Sequence, residues 1–313
     1  MPDVVRLLDP HKIKRNPENP RLIFHQDELE ALQESIAQQG ILVPLTTFQD
    51  GSEFFLLDGE RRWRCAIKLG LSKVPVVVQP KPDRLQNIMM MFGIHKVRKD
   101  WDPLPTALKL EDLEKEFAKR NGRRPTETEL TGIASLSRGE VRRLKKLLQL
   151  PSELKSELMA ELRKPRSQQE LTVDQVLEAT KGSEALRKRS IIDEVREAEL
   201  RKALIHKFRK GIIKSTVDPR KLVKLSRAVV RNEISSETAS KAVSKLIDDP
   251  SYSIDAAFEE TVEQVEFQHN LEQLADRILT RLEDHRERKY RLSVSLREKL
   301  RRLASELEAL LRL

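Results

Sequence analysis

Three guanidinium groups fall within four positions in the run Gly59-Glu60-Arg61-Arg62-Trp63-Arg64. A guanidinium is permanently charged and presents a planar fork of donors that suits carboxylate or phosphate oxygens. The apolar run at residues 54–57 just before it has the texture of a buried strand, Asp58 and Gly59 break that strand, and a helix start follows. A helix N-terminus offers unpaired backbone N–H groups and the positive end of the helix dipole, and Gly59 lets the backbone come close to a ligand. Cations in the first turn oppose that dipole. Two partners could balance them: a phosphate group, or a local carboxylate such as Glu60 in a solvated ion pair.

The second group of candidates is basic. Residues 115–164 hold 13 Lys/Arg against 7 Asp/Glu, most of the formal net charge of +9 carried by the 313-residue chain, whose pI is near 9.5. That balance favours a polyanionic partner. Within it Thr126 is followed by Glu129 and Ser137 by Glu140, two Ser/Thr-x-x-Glu boxes of the kind that satisfy orphan N–H groups at a helix start. Two helix starts so close together describe a short helix, a tight turn and a second helix, with Leu130, Ile133, Val141 and Leu144 facing across the turn. This is the pattern of a helix-turn-helix, whose second helix enters the DNA major groove. Arg138, Arg142 and Arg143 then lie on the recognition helix, Arg123, Arg124, Lys145 and Lys146 flank it for phosphates, and Thr126 and Ser137 complete the DNA-facing set. Arginine suits bidentate guanine contacts, whereas lysine adds salt-dependent affinity. A charged, solvated helical hairpin is the alternative.

The elements that must position these groups differ along the chain. Apolar residues make up 38% and aromatics 4%, against 35% charged, so the apolar material is spread over amphipathic helices. Residues 1–95 alone have a mixed α/β texture: a strand from Val4, a rigid turn at Asn16-Pro17-Glu18-Asn19-Pro20-Arg21, a helix capped by Asp27 and stopped by Gly40, a strand after Pro44, a hairpin turn at Asp50-Gly51, and a strand from Val74. From Trp101 onward the pattern is helical. The single cysteine, Cys65, allows no intramolecular disulfide, and no apolar run reaches the roughly 18 residues that span a bilayer, so a cytoplasmic protein with no membrane partner is expected. The six histidines lack metal-site spacing.

Asn16-Pro17 with Pro20-Arg21, Ser35-Ile36, Gly40 with Pro44-Leu45, and Gly59-Glu60-Arg61-Arg62-Trp63-Arg64 before an Ala66-bearing helix resemble, in order and spacing, the N-terminal domain of the ParB family. The resemblance implies a fold shared with sulfiredoxin and a partition protein that binds DNA and cytidine triphosphate. It places the loop at residues 40–45 and the Gly59 segment around a nucleotide, with Gly40, Pro44, Gly59, Glu60, Arg61, Arg62, Arg64 and Arg98 as contacts and Arg61 and Arg62 on the triphosphate. The helix-turn-helix follows in the family's order, and Leu147-Leu148-Gln149-Leu150-Pro151 is similar to the end of its recognition region; Thr131 and Ser135 stand where the family often has alanine and glycine. The implied partners are double-stranded DNA, a second copy of the chain and a partition ATPase, at the nucleoid or on a plasmid.

One block departs from the family. Aligning its arginine on Arg98 puts Ile94 and His95 where the family has the Glu-Asn pair that serves Mg²⁺ and hydrolysis. Isoleucine has no oxygen to offer a hard cation. Enzymatic turnover is therefore at most a slow CTPase activity, and a DNA-binding transcriptional or plasmid-maintenance regulator without a nucleotide switch is the competing reading. A sulfiredoxin-like thiol phosphotransferase is disfavoured, because Cys65 lies on the helix, six residues past Gly59.

Farther along, residues 166–255 suggest helices with caps at Thr172 and Ser236 and breaks at Gly182, Gly211, Pro219 and Pro250. In the tail Leu271, Leu274, Ile278 and Leu282 form one stripe. A second helix, capped by Ser295 with Glu298, carries Leu296, Leu300, Leu303, Leu307 and Leu310 at coiled-coil spacing. The sequence thus predicts a multidomain α+β protein: a ParB/sulfiredoxin-like domain over 1–95, a helix-turn-helix domain over 96–165, a helical region over 166–255 and a helical dimerisation region over 256–313.

Overall fold

The computed structural model describes residues 4–96 and 102–312, apart from the side chains of His95 and Lys96. Two compact units divide the chain, Met1–Lys181 with Arg201–Val217, and Gly182–Leu200 with Asp218–Leu313.

In the first unit the mixed α/β pattern gives β1 (Val5–Leu8), a 3-10 turn, β2 (Ile13–Lys14), α1 (Gln26–Gln39), β3 (Leu45–Asp50), β4 (Glu53–Asp58), α2 (Glu60–Lys68), β5 (Val74–Gln79) and α3 (Arg84–Lys96). The sheet order is β1-β5-β3-β4-β2. The β3–β4 hairpin and the β1–β5 pair are antiparallel, while β3–β5 and β2–β4 are parallel. Alternation along β4 explains the layers. Leu56 packs with Ile13, Leu45, Val74, Val76 and Ala66 of α2, and Leu57 packs with Phe48 and Met91 of α3. Phe48 and Phe55, directly opposite across the hairpin, stack with centroids 5.4 Å apart.

The cap expected at Asp27 is corrected. His25, in an extended conformation, is the residue before the helix, so α1 begins at Gln26, and the Asp27 carboxylate accepts from the Glu28 N–H inside the first turn. Gly40 ends α1 as expected, its N–H donating to the Ile36 carbonyl at 2.9 Å.

Helices follow: α4 (Pro103–Asn121), α5 (Glu127–Ile133), α6 (Arg138–Leu148), α7 (Ser152–Arg163), α8 (Val173–Arg187) and α9 (Glu194–Arg209). The second unit adds α10 (Arg220–Val230), α11 (Ser236–Asp248), α12 (Ile254–Glu259), α13 (Glu263–Glu287) and α14 (Val294–Leu310). Three punctuation marks move. Gly182 lies inside α8 and does not break it; a Cβ there would come within 2.8 Å of the Pro219 carbonyl, so the missing side chain serves close packing. Ser235, not Ser236, caps α11 through the Thr238 N–H, and Ser293, not Ser295, caps α14 through the Leu296 N–H. In each case two serines stood close together, and the helix starts after the earlier one. Among the described residues no helix is long and apolar enough to cross a membrane.

Candidate functional site

The β4–α2 junction sets the first site. Gly59 adopts φ 95°, ψ 19°, the left-handed conformation that turns the chain sharply from strand to helix. An added Cβ would meet Leu45 Cδ2 at 2.6 Å and the Arg62 guanidinium at 3.1 Å, so this position is closed to side chains on two grounds. The bare backbone leaves the start of α2 without a side-chain cap.

The three arginines take three different roles. Arg62 reaches out of α2 to the facing loop: Nη1 donates to the Val43 carbonyl and, at 3.0 Å, to the Pro44 carbonyl, and Nη2 donates to Asp58 Oδ2 at 3.0 Å. The loop at residues 40–45 and the helix start are therefore held together by one guanidinium. Arg61 Nη2 donates to the Glu28 carbonyl at 2.7 Å, and its buried Nε has no hydrogen-bond partner. Arg64 turns back to Glu60, with Nε and Nη2 at 3.0 and 2.6 Å from Oε1, and lies 4.1 Å from the centroid of the Phe24 ring. The local ion pair thus accounts for Arg64, while Arg61 and Arg62 face backbone carbonyls and, for Arg62, one carboxylate.

Glu60 is buried, and its second oxygen accepts from Asn19 Nδ2 at 2.7 Å. Asn19 belongs to a polar web that sequence reasoning did not find. Asn16 and Asn87 exchange amide hydrogen bonds at 2.7 and 3.1 Å, and Glu18 pairs with Arg84 and with Lys109 of α4, both at 3.1 Å. Glu28 accepts from Arg21 at 2.8 Å and Arg166 at 3.2 Å, and Arg21 shares the Phe24 ring with Arg64. The available signal was composition: residues 16–21 set short polar side chains between two prolines, where they have no strand or helix to satisfy.

Two features bear on catalysis. Ile94 is partly buried against the Phe48–Leu57–Met91 cluster, a packing role with no oxygen ligand; Arg98 lies outside the described residues, as does the side chain of His95. Cys65 is buried, its thiol donates to the Leu29 carbonyl at 3.6 Å, and burial pushes its pKa up against a smaller downward pull from Arg61 and Lys68. A thiol held neutral in this way is a poor nucleophile.

The second site is the α5–α6 pair. Both capping boxes are formed: Thr126 accepts from the Glu129 N–H and Ser137 from the Glu140 N–H, each at 3.2 Å, and each glutamate returns to the cap's own N–H. Leu130, Val141 and Leu144 are buried between the helices, with Ile133 at the margin. Ser135 sits in the turn at φ 53°, a left-handed residue where glycine would be free of strain. The basic set is largely compensated. Arg123 forks onto Glu129 at 2.8 and 2.6 Å, Arg142 pairs with Glu127 at 2.9 Å, Arg143 with Asp174 at 2.7 Å and Lys145 with Glu114 at 2.6 Å. Arg138 makes a long contact of 3.4 Å to Thr128, and Arg124 and Lys146 are exposed.

The Arg123 fork, with the Thr126 N–H and hydroxyl, draws the Glu129 pKa down to about 2, and Arg142 lowers that of Glu127. A carboxylate with a depressed folded pKa stabilises the fold above its unfolded pKa, and that contribution fades as pH falls toward the folded value. Glu129→Gln is accordingly expected to lower the melting temperature at neutral pH. The gap to the parent chain should narrow between pH 4.5 and 2 in a circular-dichroism titration; a gap that stays constant with pH would assign the loss to the capping hydrogen bond alone.

Residues 2–93 match the ParB N-terminal domain family. The chromosome-partitioning protein ParB of Caulobacter vibrioides is 31% identical over 153 residues, 47% of this chain and 47% of that protein, so the chain spans about half the length of such relatives. A crystal structure of C-terminally truncated ParB from Caulobacter crescentus complexed with CTP-gamma-S matches at 30% identity and a TM-score of 0.29, over 50% of this chain and 85% of that one. The same protein complexed to the centromeric parS site matches at 23% identity and a TM-score of 0.37, over 77% and 99%.

Proposed function

Because this chain belongs to the ParB family, we propose that it is a sequence-specific binder of double-stranded DNA, a partition-type clamp that works as a homodimer gated by a nucleoside triphosphate, CTP foremost, at the nucleoid or on a plasmid. The observation that carries the nucleotide reading is the Arg62 bridge, which brings the loop at residues 40–45 against the start of α2. The residues there fit a polyanion: an uncapped helix start, a left-handed glycine that brings the Arg62 guanidinium against the backbone, and a buried Arg61 Nε lacking a partner. A bound triphosphate would find Arg61 and Arg62 as its cations, with Glu60 and Arg64 bracing the helix behind them. The Mg²⁺ site does not fit so well, since Ile94 offers no donor, and no hydrolytic step is derived; turnover is expected to be slow or absent.

A DNA-binding regulator without the switch is favoured by a different observation. All three guanidiniums already have partners inside the chain, so the pocket region holds its shape without a ligand. Dimerisation is supported by the leucines of α13 and α14: Leu271, Leu274, Leu282, Leu296, Leu307 and Leu310 are 39–53% exposed, an apolar seam that a second copy would cover. A partition ATPase remains the further partner that the family implies.

The test of the DNA reading compares two residues of α6. Arg142→Ala should cost roughly 1–3 kcal/mol at the preferred site, about 5- to 150-fold, and relax sequence preference there, whereas Lys146→Ala should weaken all duplexes alike and flatten the salt dependence. Fluorescence anisotropy on genomic fragments reads both. Equal losses on every sequence would reduce Arg142 to a phosphate contact.

A further inference from the structure

We infer that Glu127 is a positioning residue for DNA reading: its carboxylate, on α5, holds the Arg142 guanidinium of α6 in a fixed plane and leaves the other edge of that guanidinium free for a base. Arg142 Nε donates to Glu127 Oε2 at 3.0 Å, and Nη2 lies 2.9 Å from Oε1. These two approaches take the side edge of the guanidinium, Nε with Nη2. Nη1 has no partner among the described residues, and the side chain is 67% exposed. Nη1 and the outward N–H of Nη2 form the end edge, which matches the O6 and N7 acceptors that guanine shows in the major groove. One guanidinium can thus keep Glu127 and take a guanine at the same time.

Both ends of this grip are anchored. Glu127 is the first residue of α5, next to Thr126, whose capping box with Glu129 pins that helix start, and the box of Ser137 with Glu140 pins the start of α6. Leu130, Val141 and Leu144, buried between the two helices, fix one against the other. Among the described residues no other cation of α6 is held at two points by α5. Arg138 has one long contact, 3.4 Å to Thr128. Arg143 and Lys145 turn away from α5, to Asp174 of α8 and Glu114 of α4.

An exposed ion pair adds little to folding stability, so the fold alone does not account for this one. Its effect falls on binding. A free arginine gives up rotamer freedom when it locks onto a base, and one already held by Glu127 has less to give up. The carboxylate also offsets the charge that Arg142 would offer to phosphates of any sequence, which keeps the arginine for the base pair whose acceptors fit its free edge. Glu127 needs no contact with DNA for either effect. The inference rests on the DNA-binding reading above and adds to it the residue that makes Arg142 selective.

The experiment selects bound duplexes from a randomised library with the full chain, then measures anisotropy on the selected site and on an arbitrary duplex for Glu127→Gln, Glu127→Asp and Arg142→Ala. Glu127→Gln should lose about 2- to 12-fold of the preference for the selected site, the ratio that corresponds to immobilising one long side chain. It should bind the arbitrary duplex more tightly, with a salt slope steeper by up to about 1. Glu127→Asp keeps the charge but falls one methylene short of Arg142, so it should bind the arbitrary duplex like the parent chain and still lose preference. The loss should sit at the base pair that Arg142→Ala relaxes, and Glu127→Gln added to Arg142→Ala should cost no further preference, a non-additivity that a merely structural role would not produce. Preference that is intact in both Glu127 variants while Arg142→Ala relaxes it would overturn this inference and leave the DNA-binding reading standing. An equal loss in the Arg142→Ala background would overturn it too, by assigning the effect to α5 itself. If Arg142→Ala relaxes nothing, the reading of Arg142 as a base contact fails first and takes this inference with it.

Discussion

Arg62→Ala is expected to lower the affinity for a nucleoside triphosphate by at least about 100-fold. Two hydrogen bonds to a charged phosphate are worth roughly 1.5–3 kcal/mol each, and about 1.4 kcal/mol is a factor of ten. Their loss should be visible in titration calorimetry as an absent binding heat. The fold should persist, because the carbonyls that Arg62 releases, Val43 and Pro44, lie in a loop where water can replace it: Val43 is 63% exposed. Arg62→Lys should rescue little, since an ammonium is a point charge and cannot span both carbonyls and Asp58 at once. Arg64→Ala should behave differently, costing stability by leaving buried Glu60 with Asn19 as its remaining side-chain donor. Undiminished nucleotide affinity in Arg62→Ala would remove the pocket assignment and leave the switchless regulator.

The second large effect falls on stability. Gly59→Ala would force an alanine to φ 95° and set its Cβ 2.6 Å from Leu45 Cδ2, in a cluster where Leu45 is fully buried. Backbone strain of this kind costs about 1–3 kcal/mol, and overpacking a well-filled core costs about the same again. Together they amount to about 2–6 kcal/mol, which reaches the low end of the roughly 5–15 kcal/mol margin of a domain. Urea denaturation followed by far-UV circular dichroism should show a midpoint shifted far down. A variant within about 0.5 kcal/mol of the parent chain would mean that the left-handed turn is not needed, since changes of that size are ordinary for exposed sites.

What the sequence disclosed, and what it withheld, follows from the range of the interactions involved. The capping boxes at Thr126 and Ser137 could be read because donor and acceptor lie three residues apart, and both formed. The β3–β4 hairpin could be read from Asp50-Gly51 for the same reason. Asn19 and Glu60 are 41 residues apart, Asn16 and Asn87 71, and Lys109 reaches Glu18 across 91, so no periodicity announces those pairs. The division of labour among Arg61, Arg62 and Arg64 was hidden likewise. All three look equivalent in a string, and only the positions of Glu28, Val43 and Phe24 tell them apart. Gly182 was misread because a glycine needed for close approach has the same letter as one that ends a helix.

The strand order β1-β5-β3-β4-β2 sets a timetable for synthesis. Both edges of the sheet come from strands that precede all the others in chain order, yet β2 has no partner until Phe54 and Phe55 have been made, and β1 none until β5, with Val5 paired to Val77. The hairpin that carries Asp58 closes over a handful of residues and can form first. The β1 segment, Val5-Arg6-Leu7-Leu8, therefore waits with its backbone unpaired for the strand that will bond to it. That interval is when this chain is most open to pairing with the wrong edge.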